Sequence, residues 1–407
     1  MRISTNQLYD RSIQAVLDNQ GDLSDLQRQL ASGKKLLRPS DDPVGAAQVI
    51  RLTEEIDIIN QYKKNNNLLS NNLETEEAVL RNTNDSLNRA RVLMIQAGNG
   101  ILSAEDKKAI GIEIGQIRDE VFDQMNSRNA NGEYIFAGYQ SASPAFVLNQ
   151  SATGNKYSFQ GDEGLNELQL SDTLKLAMNN SGKTVFEDVL ARLKGSISSS
   201  VGVTSASLNI EQQGSFDKFH KANYDAVTPG NNEFQFSIIS ASQIQISNVG
   251  TGVLVDTVDF SSGVPFVFEG LQLNIEGGVG DTVNFQIEQP EKKNIAETLN
   301  DFFLALTDAN ISDGSYEDAI SDALVGLDNG LIALGNSIST IGGRLNVAQS
   351  IFESNLDLEI ANKTARSNIE DVDYAEAVSE LSKQETALQA AQATFSRVTG
   401  VSLFDFI

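Results

Sequence analysis

Apolar residues recur every seven positions along both ends of this chain of 407 residues. Tyr9, Val16, Leu23, Leu30 and Leu37 form one row, with Leu26 three positions after Leu23. Leu52, Ile59, Leu73, Leu80, Leu87 and Met94 keep the same period, broken only by Asn66. Toward the other end Leu324, Leu331, Ile338, Leu345 and Phe352 align, and Leu327, Leu334, Ile341 and Ala348 form a second row three positions on. Tyr374, Leu381, Leu388 and Phe395 repeat the device in the last segment, joined by Ala377, Ala391 and Val398. Spacings of three and four sustained over several heptads mark a coiled-coil seam rather than the broader stripe of an ordinary surface helix. Asn66 and Gln384, polar inside such seams, are expected to fix register between helices. A shorter helical pattern, Ile110, Ile114, Ile117, Val121 and Met125, follows the turn Ala97-Gly98-Asn99-Gly100.

The prolines, at 39, 43, 144, 229, 265 and 290, leave 44–143 and 291–407 free of them, and both tracts read as helix. Residues 44–97 as one helix would extend roughly 80 Å, too long for a compact catalytic domain and suited to a rod or filament subunit. Between about 141 and 291 the pattern changes to short alternations: "EFQFSII" (233–239), "SQIQIS" (242–247), "FEGLQLNIE" (268–276) and "DTVNFQIEQ" (281–289). These read as half-buried strands, and "TVFEDVLARL" (184–193) as a short helix among them. The expected fold is mainly α with a β-rich insertion: helices from the two chain ends pair as long coiled-coil layers and an outer β domain projects from them. The expected domains are an inner layer of 1–41 plus 372–407, a bundle of 42–140 plus 292–371, and the insertion 141–291. Val16, Leu23, Leu26, Leu30, Leu381, Leu388, Phe395 and Val398 form the expected assembly seam. Terminal helices of such length are marginal in water when isolated, so they are expected to be mobile in the monomer and ordered in an assembly.

Each helical tract is interrupted once. In "PSDDPV", Asp42 reads as an N-cap with Pro43 at the first helical position. In "IEDVDY", Asp373 with Glu376 resembles a capping box. Asp41, Asp42, Pro43, Asp371 and Asp373 therefore mark an expected joint between two layers. The acidic pairs lack the remaining oxygen ligands of a cation loop, and caps explain them better.

Charge and composition narrow the function. A formal net charge of −25 disfavours phosphate backbones and anionic lipid surfaces, and the basic clusters, Lys34-Lys35 and Lys292-Lys293, are only pairs. Nucleic acid and membrane are not expected partners. No apolar stretch approaches the roughly 20 residues of a membrane span, and the amino-terminal residues show no apolar core of a cleaved Sec signal. The absence of cysteine removes disulfides and thiolate metal sites, and any histidine-based triad would rest on His220 alone. His220, in "DKFHKANY", is expected in an exposed loop. "SGKT" (181–184) resembles the end of a phosphate-binding loop, but Ala177 stands where that motif requires glycine. No cofactor is expected.

"ASGKKLLRPSDDPVGAAQVI" (31–50) resembles the N-terminal pattern of the flagellin family, and "IGGRLNVAQS" (341–350) and "SNIEDVDYAEAVSELSKQETALQAAQATF" (367–395) resemble its C-terminal segments. The likeness covers roughly 1–140 and 300–407. Within the family, "NGEYIFAGYQSASPAF" (131–146), Pro43-Val44 and the ending "TGVSLFDFI" are more similar to a hook–filament junction subunit than to filament flagellin, which is the alternative. The resemblance implies a non-enzymatic subunit exported unfolded through the flagellar type III pathway. It also implies a ring of copies between hook-associated protein 1 and flagellin, and an export chaperone on the C-terminal helix. Of the enzymatic alternatives, a metalloprotease insertion needs the two histidines of HExxH, while a carboxylate-only glycosidase stays open. Sugar binding by 141–291 is compatible with an adaptor.

Overall fold

The structure is a computed structural model and describes residues 5–152 and 155–400. Seven α-helices are described: α1 (Thr5–Ser32), α2 (Pro43–Ala97), α3 (Ala104–Met125), α4 (Gln213–Asn223), α5 (Ile295–Thr307), α6 (Asp313–Glu370) and α7 (Tyr374–Gly400). The strands fall between Phe146 and Lys293. The architecture is therefore mainly α with a β-rich central region. The chain divides into two compact units.

The first unit comprises the described residues of Met1–Ser70, Leu168–Leu176 and Leu345–Ile407. Here the start of α2 is bonded to the end of α6 through Asn66–Ala348 and Lys63–Glu359, and α1 lies against α7. The α2 seam contains a polar position, as the broken heptad predicts: Asn66 is buried, and its Nδ2 donates to the Ala348 carbonyl at 2.7 Å. A buried amide that finds its partner only in one alignment penalises every other register. The hairpin segment 168–176 is held to the same helices. Asn65 Nδ2 donates to the Gln169 carbonyl at 2.8 Å and Asn355 Nδ2 to the Leu170 carbonyl at 2.9 Å.

The second unit comprises Asn71–Glu167 and Ala177–Arg344. Its helical part joins the end of α2, α3, α5 and the start of α6. Of the two predicted rows on α6, the second is the core: Leu327, Leu334 and Ile341 are fully buried, while Leu324, Leu331 and Ile338 are half-buried. Ser103 opens α3 with a capping box to Asp106. The Tyr316 hydroxyl donates to the carbonyl of Ala97 at 2.8 Å and so closes the last turn of α2.

The β-rich part of this unit has two main antiparallel sheets. The five-stranded sheet runs Leu254–Asp259, Gln243–Asn248, Glu233–Ser240, Thr282–Ile287 and Gly195–Val201 across its width; the three-stranded one runs Phe266–Phe268, Leu271–Glu276 and Ser205–Ile210. Alternation fixes the register: Phe234 pairs with Phe285, Phe236 with Val283 and with Ile246, and Ile238 with Ile244. All of these side chains are buried in one core with Phe216, Phe219, Leu271 and Leu273.

Two sequence expectations fail here. Residues 184–193 do not form an α-helix; a single π-turn, Lys183–Glu187, is followed by the strand Val189–Leu190. Phe186 and Val189 are both buried, and the strand gains a partner at Lys292–Lys293, so tertiary pairing overrides the local helical pattern. His220 is not in an exposed loop. It lies in the last turn of α4 and is 1% exposed, with Nε2 2.7 Å from the Glu288 carbonyl and its ring stacked on Tyr224 at 5.3 Å. The spacing of Phe216, Phe219 and His220 at i, i+3 and i+4 was the available signal of a buried helical face.

Candidate assembly site

The two interruptions of the helical tracts meet. Gly33 ends α1 in the left-handed region at φ +73°, a conformation that a side chain makes costly. Beyond it, Lys34 and Asp371 form an isolated antiparallel bridge. The Lys35 N–H donates to the Glu370 carbonyl at 2.6 Å, and the Val372 N–H to the Gly33 carbonyl at 3.0 Å. The Lys34 ammonium also pairs with the Glu370 carboxylate. This clasp was missed at the sequence level because its members lie at opposite ends of the chain and no local spacing links them.

Each predicted joint residue has a local task. Asp41 Oδ2 accepts from the Arg38 N–H at 2.9 Å and the Leu37 N–H at 3.2 Å, closing the turn after the clasp. Leu37 thus stands outside α1, and the heptad row ends with the helix at Ser32. Asp42 Oδ1 accepts from the Val44 and Gly45 N–H groups at 3.1 and 3.0 Å, satisfying donors in the first turn of α2, which Pro43 begins. Asp373 Oδ1 does the same for Ala375 and Glu376 at 2.9 and 3.3 Å. Asp371 accepts from the Ser367 hydroxyl. All of these carboxylates are exposed and engaged in capping or turn bonds.

The seam residues lie on α1 and α7. Val16, Leu23, Leu26 and Leu30 on α1, and Leu381, Leu388 and Phe395 on α7, are all half-buried, as is Gln384. Ala377 alone among the described apolar residues of these two helices is fully buried. Leu17 and Val378 are 56% and 52% exposed. The side chains of Tyr9 and Val398, and the ending 401–407, lie outside the described residues. The pairing of α1 with α7 leaves this seam only half-covered, and the apolar area left in water is a driving force for further association.

Along the neighbouring stretch of α2 and α6, Glu359 accepts from Lys63 and Lys363, each at 2.6 Å, with its side chain only 8% exposed. The Lys363 and Lys63 ammonium groups hold its carboxyl below the ordinary carboxylate range. The Glu359–Lys363 half of this arrangement is visible as an i,i+4 spacing; the Lys63 half is not. Among the described residues no group of three or more His, Asp or Glu side chains could hold a metal ion, and no helix is long and apolar enough to cross a membrane.

Residues 3–141 match the bacterial flagellin N-terminal helical region, and residues 331–407 match the bacterial flagellin C-terminal helical region. Flagellar hook-associated protein 3 of Salmonella typhimurium is 29% identical over 189 residues, which are 46% of this chain and 58% of that relative's length. Flagellin FlaB1 of Treponema pallidum is 37% identical over 109 residues, 27% of this chain and 38% of that one. The crystal structure of flagellar hook associated protein-3 from Legionella pneumophila superposes with a TM-score of 0.58 at 23% identity, covering 79% of this chain and 99% of that chain. The fold is thus shared with that structure. With its two ends matching the paired helical regions in order, the chain belongs to the flagellin family.

Proposed function

We propose that the protein is a structural subunit of the bacterial flagellum, forming an adaptor ring between hook-associated protein 1 and the flagellin filament. The observation that carries this reading is the seam of α1 and α7, clasped at Gly33–Val372 yet left half-buried along its length. A subunit that packs against copies of itself needs such an unfinished apolar face. The similarity to hook-associated protein 3 of Salmonella typhimurium supports the junction in particular.

In this reading 1–41 with 372–407 form the inner layer, 42–140 with 292–371 the surrounding bundle, and 141–291 the outer part. The seam Val16, Leu23, Leu26, Leu30, Leu381, Leu388, Phe395 and Val398 closes between copies. Asp41, Asp42, Pro43, Asp371 and Asp373 form the joint between layers. An export chaperone would cover the C-terminal helix until the chain leaves through the flagellar type III pathway, and the assembled protein would stand outside the cell. Its role would be structural, with no catalytic step.

A filament-forming flagellin is the second reading, favoured by the match to FlaB1 of Treponema pallidum. Negative-stain microscopy separates the two. Purified protein added to isolated hooks capped with hook-associated protein 1 should form a short zone that stops and lengthens only when flagellin is supplied. Unlimited growth from this protein alone would establish the filament reading instead.

A further inference from the structure

A second buried carboxyl lies in the other unit. Glu76 occupies the inward row of α2 that continues through Thr83, Ala90 and Ala97, and it is 1% exposed. Its Oε1 accepts from the Asn180 backbone N–H at 3.2 Å and from Asn180 Nδ2 at 2.9 Å. Its Oε2 is buried without a partner. Arg344 of α6 is the charged group that acts on it, and that guanidinium is itself bonded to the Asn179 carbonyl at 3.2 Å.

The segment that Glu76 holds organises its surroundings. Asn179 Oδ1 accepts from the Asn166 N–H at 2.8 Å, and the Gly182 N–H donates to the Phe136 carbonyl at 3.0 Å. Phe136 then meets Phe186 edge-on at 5.0 Å, and Phe186 meets Phe146 at 5.9 Å. Just beyond the segment, Lys183 is paired with the exposed Glu163. On α2 itself, Glu77 is taken by Arg81.

We propose that Glu76 is a proton-operated clasp, a neutral acid that keeps residues 179–181 on α2 and releases them when it ionises. A neutral carboxyl tolerates burial with one oxygen unpaired far better than a carboxylate does. Burial pushes the Glu76 acid up to about 8, outweighing the opposing pull of Asn180 and Arg344. In any opened state the group meets water and returns toward its ordinary value of 4.5. Ionisation is therefore costlier in the closed state than in the open one. The closed segment is most favoured at low pH, loses ground as pH rises through the interval between the two values, and changes no further above about 8.

The test is amide hydrogen exchange of the Asn180 N–H, followed in the full chain from pH 6 to 9 and corrected for the chemical exchange rate. The opening equilibrium of this amide should rise about tenfold per pH unit until near pH 8 and then level. Glu76→Gln keeps an acceptor for Asn180 and has no proton to lose, so its profile should be flat. A flat wild-type profile, or a Glu76→Gln profile with the wild-type slope, overturns the proposal. If Glu76→Gln fails to fold, the carbon-13 shift of the Glu76 carboxyl decides on the wild-type chain. A titration midpoint above 7 supports the clasp, and a lower midpoint overturns it.

Discussion

The carbonyl of Gly33 accepts the backbone N–H of Val372 at 3.0 Å, so the break after the first helix and the break before the last are joined to each other. Gly33 can make this bond because it adopts φ +73°, and a Cβ there would stand 3.0 Å from the Tyr374 hydroxyl. Gly33→Ala should therefore weaken the clasp by about 1–2 kcal/mol. The check is limited proteolysis, which should cut within 33–42 several-fold faster in the variant.

Glu359 gives the first unit a dependence on acid. Its carboxyl is held below the usual range by Lys363 and Lys63. Its contribution is therefore complete above the ordinary value of 4.5 and is lost as pH falls through the lower folded value. Glu359→Gln should cost about 2 kcal/mol at pH 7, and the variant should lose less stability than the wild type between pH 5 and 3. Urea midpoints across that range measure both effects.

Gly45 is buried beside the Asp42 carboxylate and Ile369, and a Cβ would lie 2.4 Å from Asp42 Oδ2 and 3.3 Å from Ile369 Cγ2. Gly45→Ala must displace the cap of α2. Although alanine is the better helix former, the variant should be less stable, by an amount near the ~1 kcal/mol lost in Asp42→Ala. Equal melting temperatures for Gly45→Ala and wild type would show that the cap is not constrained in this way.

Leu388→Asp places a charge in the seam. Because Leu388 is half-buried, the single chain should fold and its β-rich part should melt unchanged, while incorporation into an assembly falls at least tenfold. Sedimentation of the assembled fraction, beside circular dichroism of the monomer, reads the two effects separately.

Deleting 372–407 should leave a soluble chain that retains a cooperative helical transition from α2, α3, α5 and α6 and does not join an assembly. Loss of that transition in calorimetry would mean that α7 is needed for the remaining helices to fold.

Much of the fold was legible because it is written in periods. Heptads located α1, α2, α6 and α7, and strict alternation located strands such as Glu233–Ser240 and Thr282–Ile287. The caps of α2 and α7 were legible as Asp-Pro and Asp-x-x-Glu, since capping is local. Residues 184–193 were misread because their pairing partner, Lys292–Lys293, lies far along the chain. His220 departs from the expected exposed loop because it shares the buried face of α4 with Phe216 and Phe219. The clasp and the Lys63–Glu359 pair bring the two ends of the chain together, and Glu76 finds its partner at Asn180. Sequence spacing carries no information about such contacts.

The central claim, that assembly completes the seam of α1 and α7, is tested most directly by thiol reactivity. The chain has no cysteine, so Leu388→Cys supplies one unambiguous label, and Thr251→Cys, at an exposed turn of the β-rich part, supplies the control. Before assembly both thiols should react with a maleimide. On hooks carrying the added ring, the thiol at 388 should become at least a hundredfold slower while the one at 251 keeps its rate. A thiol at 388 that reacts equally fast in monomer and ring would contradict burial of the seam between copies.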